Sequence, residues 1–468
     1  MDPLDQYLSD KIHGNFFQKS SLIILAFLVY VCTCFMTIGS LVLSQIEDDL
    51  KLSTLQKSII TGFSSAGAIL GIIFANLVWQ KVGPIRTLKF SLFIPLLYGV
   101  IVYYAQDFNF IVLAWTIQNI CVGIGNIPIG VYLTETAPVA SRGRWTVTFG
   151  AFATGGRITS ALLSQFLIDK KVNGSWKYPL YVQVLLYVII AIPLISYFQE
   201  SLRYLYTHQK FEKLVLAINR IIRINQGKVK DKKIEFATID EVRALSQMKL
   251  QNAEENPSDF DQLKELFGKK YRTITIVLIF VWIAENVQFN GLTMILPFWY
   301  KKFGVKDEFL LTGLTFASEL VAMGTIYFMI DNKTFGRKKS IQIFGTASCI
   351  LFATSYFFTD QNVLTGFFFC ERYCMKSILI LLFTYTSEIY PTKIRNLGIS
   401  INDMTSSIMN CLLPFAVFFL FDWYAYSIIV LFFGSAAILI TLTLFLWKDR
   451  TQKSLDLTKS MISNGEFL

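Results

Sequence analysis

The run Thr386-Ser387-Glu388-Ile389-Tyr390-Pro391-Thr392-x-x-Arg395-x-x-Gly398 closes one long apolar stretch, and Tyr132-x-x-Glu135-x-x-Pro138-x-x-x-Arg142-Gly143 closes another 253 positions earlier. At that one offset Gly336 falls on Gly83, Tyr385 on Tyr132, Glu388 on Glu135, Pro391 on Pro138 and Arg395 on Arg142. All five identities sit near the ends of apolar runs. The chain therefore carries an internal repeat, and six runs separate the copies. An even number of crossings keeps helix polarity, so the repeat implies two parallel six-helix halves with a solute path between them.

Composition agrees. Of 468 residues, 53% are hydrophobic, 15% aromatic and 16% charged. A soluble domain carries about 25% charged residues, so water-soluble enzymes, disordered scaffolds and secreted disulfide domains are disfavoured. Apolar runs long enough to span a bilayer, at about 20 residues each, are read at 20–44, 58–79, 87–104, 110–134, 145–168 and 178–198. The second set is read at 272–298, 310–330, 340–357, 363–387, 397–420 and 424–447. The fold class is thus an all-α membrane protein of twelve transmembrane helices in two parallel six-helix pseudo-repeats. Five segments follow: an N-terminal segment 1–19, a first half 20–198, a central insert 199–271, a second half 272–447 and a tail 448–468.

Alternate loops carry eight Lys and Arg, whereas the termini, the remaining loops and the insert carry 31. The positive-inside rule places that basic side, with both termini and the insert, in the cytosol. The sequon Asn173-Gly174-Ser175 falls on the other side. Within the insert, Phe211, Leu214, Val215, Ile218 and Ile221 have helical apolar spacing, which predicts an amphipathic helix lying along the membrane surface. The first apolar run begins near Ser20 and is too long for the core of a cleavable signal. All seven cysteines lie in apolar runs without metal or CxxC spacing, so no disulfide framework and no metal site are expected. No phosphate-cradling loop or DNA-binding signature appears, so neither ATP-driven transport nor nucleic-acid binding is indicated. His13 and His208 stand far apart outside the spans and support no nucleophile–base set, so neither an enzyme nor a cofactor is expected.

Charge inside the membrane is the sharpest functional signal. Arg157, Glu285, Glu319 and Lys376 fall near span centres, with Glu371 and Arg372 one turn before Lys376. Each ionised group there costs about 2.5–3.5 kcal/mol on insertion scales, and the six would together cost roughly 15–20 kcal/mol facing lipid. They must pair, face a wet cavity or become neutral. Arg372 and Lys376 share a helix face and repel each other, which an acid from another helix or an anionic solute would relieve. The candidate substrate or coupling residues are Arg157, Glu285, Gln288, Asn290, Glu319, Arg372 and Lys376. Burial favours the neutral form of a carboxyl group, so Glu285 or Glu319 is the candidate carrier of a coupling proton. A purely structural ion-pair network is the competing reading.

With these residues in view, the chain resembles the major facilitator superfamily, in the branch of synaptic vesicle proteins and organic-ion transporters, with sugar porters as a neighbouring branch. The resemblance covers nearly the whole chain. It rests on the repeated motifs quoted above, on Gly123-x-Gly125-Asn126-x-Pro128 and on Glu200-Ser201-Leu202-Arg203. It implies a cytosolic gate at Gly83, Glu135, Arg142, Gly336, Arg337, Glu388 and Arg395. The chain also departs from the family. Gln80 replaces the acid of the loop between spans two and three, and Asn119 stands where an Arg is usual. Cys32 and Phe35 occupy positions that are acidic in many branch members.

The function so read is a secondary transporter of a small organic solute, an organic ion favoured, working by alternating access. Proton symport and uniport both stay open. A sugar or other neutral polar solute, and a non-transporting receptor or assembly subunit, stand as alternatives. The expected partners are a small-molecule substrate, the proton and the lipid bilayer, for a monomer in the plasma membrane or an endomembrane vesicle.

Overall fold

The computed structural model describes residue 7 and residues 16–136, 142–169, 172–226, 236–244, 259–329, 336–390 and 392–446. Apart from short turns and caps, these residues are mostly helical. The first half comprises α1 (Phe16–Leu50), α2 (Thr54–Val82), α3 (Pro84–Ser91), α4 (Ile94–Tyr104), α5 (Phe108–Thr136), α6 (Arg142–Leu167) and α7 (Lys177–Tyr197). Next come the short helices α8 (Leu202–Thr207), α9 (Phe211–Gln226) and α10 (Asp259–Leu266). The second half comprises α11 (Arg272–Lys302), α12 (Glu308–Met329), α13 (Arg337–Ser355), α14 (Gln361–Ile389), α15 (Thr392–Trp423) and α16 (Ser427–Thr443).

Seven segments are long and apolar enough to cross a membrane by length and composition, and α7 and α16 add shorter apolar stretches. The remaining long helices, α6, α13 and α14, are the more polar ones, and α6 and α14 carry Arg157, Glu371, Arg372 and Lys376. The architecture is that of twelve spans. The third is a broken helix rather than the single one expected at 87–104, because α3 and α4 meet at a turn around Leu92 and Phe93. Pro95, in the first turn of α4, lacks the N–H that would continue the ladder.

The repeat is visible in the backbone. Gly83 and Gly336 both hold positive φ, +107° and +60°, and each starts the third span of its half. A Cβ on Gly83 would lie 2.5 Å from the Glu200 carboxyl group, so this turn needs glycine. In α2, Gly67 packs on the Thr116 carbonyl and Gly71 on that of Ile120, seating α2 against α5, while Gly62 faces the Cys411 carbonyl of α15.

The central insert differs from its sequence reading. Leu214, Val215, Ile218 and Ile222 of α9 pack on Tyr204, Leu205, Tyr206, Ala237 and Val242. The chain itself covers the apolar face that was expected to lie on the membrane. The Phe17 N–H donates to Asn225 Oδ1 at 2.8 Å, tying this small cluster to the start of α1.

The halves meet along α2 against α15 and α6 against α12. At the end opposite the insert, charges from both halves interleave. Lys57 Nζ of α2, with its side chain 2% exposed, lies 2.7 Å from Glu47 Oε1 of α1 and 3.0 Å from Asp422 Oδ2 of α15. Lys301 Nζ of α11 lies 2.6 Å from Asp48 Oδ1 and 3.4 Å from Glu47 Oε2. Phe298 and Phe418 flank the Lys57 ammonium, each ring centre 5.5 Å away. This latch ties the two halves together at the far end. Losing the buried Lys57 charge removes on the order of 2 kcal/mol from the closed arrangement, discounted because Glu47 and Asp422 are 27% and 33% exposed. That shifts a two-state ratio about thirtyfold. Lys57→Met, with spin labels at the exposed positions Leu55 and Trp423 in a cysteine-free background, is expected to populate a longer inter-label distance. An unchanged distribution would leave the latch without a gating role.

Candidate functional site

The mid-span charges converge on one fully buried carboxylate, Glu319 of α12. Arg372 of α14 donates to Glu319 Oε1 from Nε at 2.8 Å and from Nη2 at 2.7 Å. Its remaining Nη1 donates to the Phe289 carbonyl and to Thr293 Oγ1, both at 2.7 Å. Lys376 lies one turn further along α14, with Nζ 3.3 Å from Glu319 Oε2. Arg157 comes from α6 in the other half, placing Nη1 2.6 Å from the same oxygen, which Thr154 also reaches at 2.8 Å. Among the described residues, Arg157–Glu319 is the one ion pair that joins the halves at mid-span. Arg157 keeps 18% of its side chain exposed, against 7% for Lys376 and none for Arg372.

A ring missed from the sequence stands at the centre of this hub. The Phe289 ring of α11 lies 3.7 Å from Arg372 Cζ, 5.3 Å from Arg157 Cζ and 5.5 Å from Lys376 Nζ. An aromatic face attracts cations and holds them without supplying a counter-charge. The available signal was weak: Glu285, Phe289 and Thr293 recur every fourth residue and share a helix face. Glu285 is buried and within electrostatic range of Arg372 and Lys376. Its Oε1 has no hydrogen-bond partner. Positive charge is in surplus around Glu319 whether Glu285 is ionised or neutral.

The other candidates divide. Gln288 turns away from Glu285. Its Oε1 lies 3.1 Å from Ser348 Oγ, which sits 2.9 Å from Glu371 Oε2, so Gln288 and Glu371 form a second polar cluster between α11, α13 and α14. Asn290 Nδ2 donates to Asn286 Oδ1 at 3.2 Å and to Asn410 Oδ1 at 3.0 Å, linking α11 to α15. Of the residues expected to gate the insert end, Arg337 Nη2 pairs with Glu388 Oε1 at 2.9 Å, inside the second half. Near Gly83, Glu200 Oε1 accepts the Ile85 N–H at 3.0 Å. The side chains of Glu135, Arg142 and Arg395 lie outside the described residues.

The first half shows what replaced its charges. Asn119 donates to Ser64 Oγ and to the Trp115 carbonyl, joining α5 to α2. Phe35 packs against the rings of Tyr98 and Tyr187, 5.1 and 5.4 Å away, and Cys32 abuts the Tyr187 hydroxyl. An aromatic core fills the region where acids were expected.

Comparisons with known proteins bear on this arrangement. The chain is 23% identical over 442 residues to a synaptic vesicle 2-related protein of Xenopus laevis, covering 88% of this chain and 74% of that one. It is 21% identical over 457 residues to organic cation/carnitine transporter 7 of Arabidopsis thaliana, covering 89% of this chain and 88% of that one. Its fold matches the inward open conformation of the xylose transporter XylE from E. coli, with a TM-score of 0.69 at 15% identity over 95% of this chain and 99% of that one. The family model described as "Sugar (and other) transporter" matches residues 10–461. The chain is a multi-pass membrane transporter of that family, within the major facilitator superfamily.

Proposed function

We propose that the protein moves a small organic anion across its membrane by alternating access, with Arg157, Arg372 and Lys376 holding the anionic group. One observation carries this reading: three cations from both halves share a single carboxylate and a single aromatic ring. Rocking the halves apart pulls Arg157 away from Glu319 and leaves its charge without a partner. A substrate carboxylate or phosphate entering there supplies the missing charge in bidentate form. Glu319 then acts as the fixed anchor of the cations. Glu285, with an oxygen free of hydrogen bonds, is the better-placed carrier of a coupling proton. The basic insert end faces the cytosol on this reading, and the likeness to a synaptic vesicle 2-related protein favours a vesicle membrane.

A second reading has its own support. The amides of Asn286, Asn290 and Asn410 form a neutral hydrogen-bonding array beside the hub, suited to a sugar-like solute. The XylE neighbour is a xylose transporter.

Uptake of a mixed solute library into proteoliposomes, read by mass spectrometry with and without an inward proton gradient, separates the two. Organic anions are expected to accumulate in wild type, with Arg157→Met and Lys376→Met each reducing the rate more than tenfold. Saturable uptake of neutral polyols with no competition from anions would establish the second reading. No uptake at all by folded, correctly inserted protein would indicate a non-transporting role.

Glu285→Gln is expected to abolish gradient-driven accumulation while sparing exchange of labelled for unlabelled solute. Equal losses in both assays would remove Glu285 from proton coupling. Glu319→Gln leaves the buried Arg372 and Lys376 and the half-buried Arg157 without their carboxylate, a loss of about 3–5 kcal/mol. Its melting temperature in detergent should fall by several degrees and recover in part with a transported anion. A wild-type melting curve would show that Glu319 does not anchor the hub.

A further inference from the structure

A second site lies at the insert end, away from the hub. A cavity of about 440 Å³ is lined by five cationic side chains, Arg86, Lys89, Lys210, Lys213 and Arg220, against one acid, Glu200. The Glu200 carboxylate is already engaged, its Oε1 accepting the N–H groups of Ile85 at 3.0 Å and Ser201 at 3.3 Å. Two of the cations are braced from within the protein. Arg220 Nε lies 2.8 Å from the Gln199 side-chain amide, which accepts its N–H when the amide is oriented oxygen-first, and Lys210 Nζ lies 3.0 Å from the Tyr204 hydroxyl. Arg86, Lys89 and Lys213 are exposed and make no ion pair among the described residues. Like charges converging on a concave surface repel unless an anion occupies it.

The position identifies the source of that anion. The cavity lies where α2 and α7 end and α3 begins, at the boundary between spanning helices and the insert. Along α9, Lys213, Leu216 and Arg220 follow one another at helical spacing. Leu216 is 71% exposed and lines the same cavity, as does Val82, 38% exposed. Cations beside outward apolar side chains at this boundary match a phosphorylated headgroup whose acyl chains remain in the bilayer. A phosphomonoester carries about −1.5 to −2 charge at neutral pH, which suits converging cations better than a singly charged headgroup.

We propose that this cleft binds the phosphomonoester headgroup of an anionic membrane lipid, bridging α3 of the first half to α9 of the insert. The test uses the full chain, purified in detergent, and a fluorescent short-chain inositol lipid carrying two phosphomonoesters. Arg86→Gln/Lys213→Gln/Arg220→Gln is expected to weaken binding at least tenfold. Lys264→Gln/Lys269→Gln, which neutralises exposed cations elsewhere on the insert side, should stay within twofold. Leu216→Ser should weaken the lipid but leave competition by the free inositol phosphate headgroup unchanged.

Phosphatidylserine and inorganic phosphate should compete only at concentrations more than tenfold higher. Unchanged affinity in the triple variant, with wild-type melting behaviour, would overturn the site. Free headgroup or inorganic phosphate binding as tightly as the lipid, with no effect of Leu216→Ser, would assign a soluble phosphate ligand and overturn the lipid. The cleft shares no residue with the hub, so its outcome is independent of the transported solute.

Discussion

A single carboxylate placed in a low-dielectric interior organises the second half of this protein and ties it to the first. Glu319 is fully buried and takes Arg372 in a two-pronged contact on one oxygen and Arg157 and Lys376 on the other. None of these charges is tolerable alone at mid-membrane. Each is there because the others are, so α6, α12 and α14 are held in mutual register by a constraint stricter than apolar packing. Phe289 completes the arrangement from α11, giving the cations a face to lie on without neutralising them.

The far-end latch and the hub together describe one conformational state. Lys57–Asp422, Lys301–Glu47 and Lys301–Asp48 cross between the halves at the end opposite the insert. Arg157–Glu319 crosses at the centre. At the insert end, the described pair Arg337–Glu388 stays within one half. A rocking motion that opens the far end must break the first group and shear the central pair, while Arg372–Glu319 moves as a unit with its own half.

The repeat and the number of spans were legible because they follow from local properties: apolar length, helix polarity and identities at one offset. The hub charges were legible for a physical reason as well, since ionised groups at mid-span must find partners. Partner choice was not legible. Only its spacing between Glu285 and Thr293 sets Phe289 apart from the other 41 phenylalanines. Lys57 and Lys301 count in the sequence only toward the loop charges that set topology, because their pairing depends on how two halves meet. Gln288 shows the limit of helical spacing, since its chain turns toward Ser348 although it lies three residues from Glu285. The amphipathic pattern of α9 was read correctly as a helix, but a pattern specifies an apolar face and not what will cover it. Tyr204, Leu205 and Tyr206 cover it here.

The two halves have diverged in how they use charge. In the first, Asn119, Cys32 and Phe35 stand in an uncharged interior of aromatic contacts and amide hydrogen bonds. In the second, Glu285, Glu319, Glu371, Arg372 and Lys376 are all buried. The first half therefore speaks to the second at mid-span through Arg157, which is also the most exposed of the three hub cations. An asymmetric design of this kind makes the relative movement of the halves equivalent to moving one positive charge against a fixed cluster of Glu319, Arg372 and Lys376, which is net positive when Glu285 is neutral. Separation is opposed by the loss of the Arg157–Glu319 pair and assisted by repulsion from Arg372 and Lys376. On the function proposed above, an anion between Arg157 and the cluster would screen that repulsion and replace the lost pair at once, so that occupancy of the site and the position of the halves would be set by the same few charges.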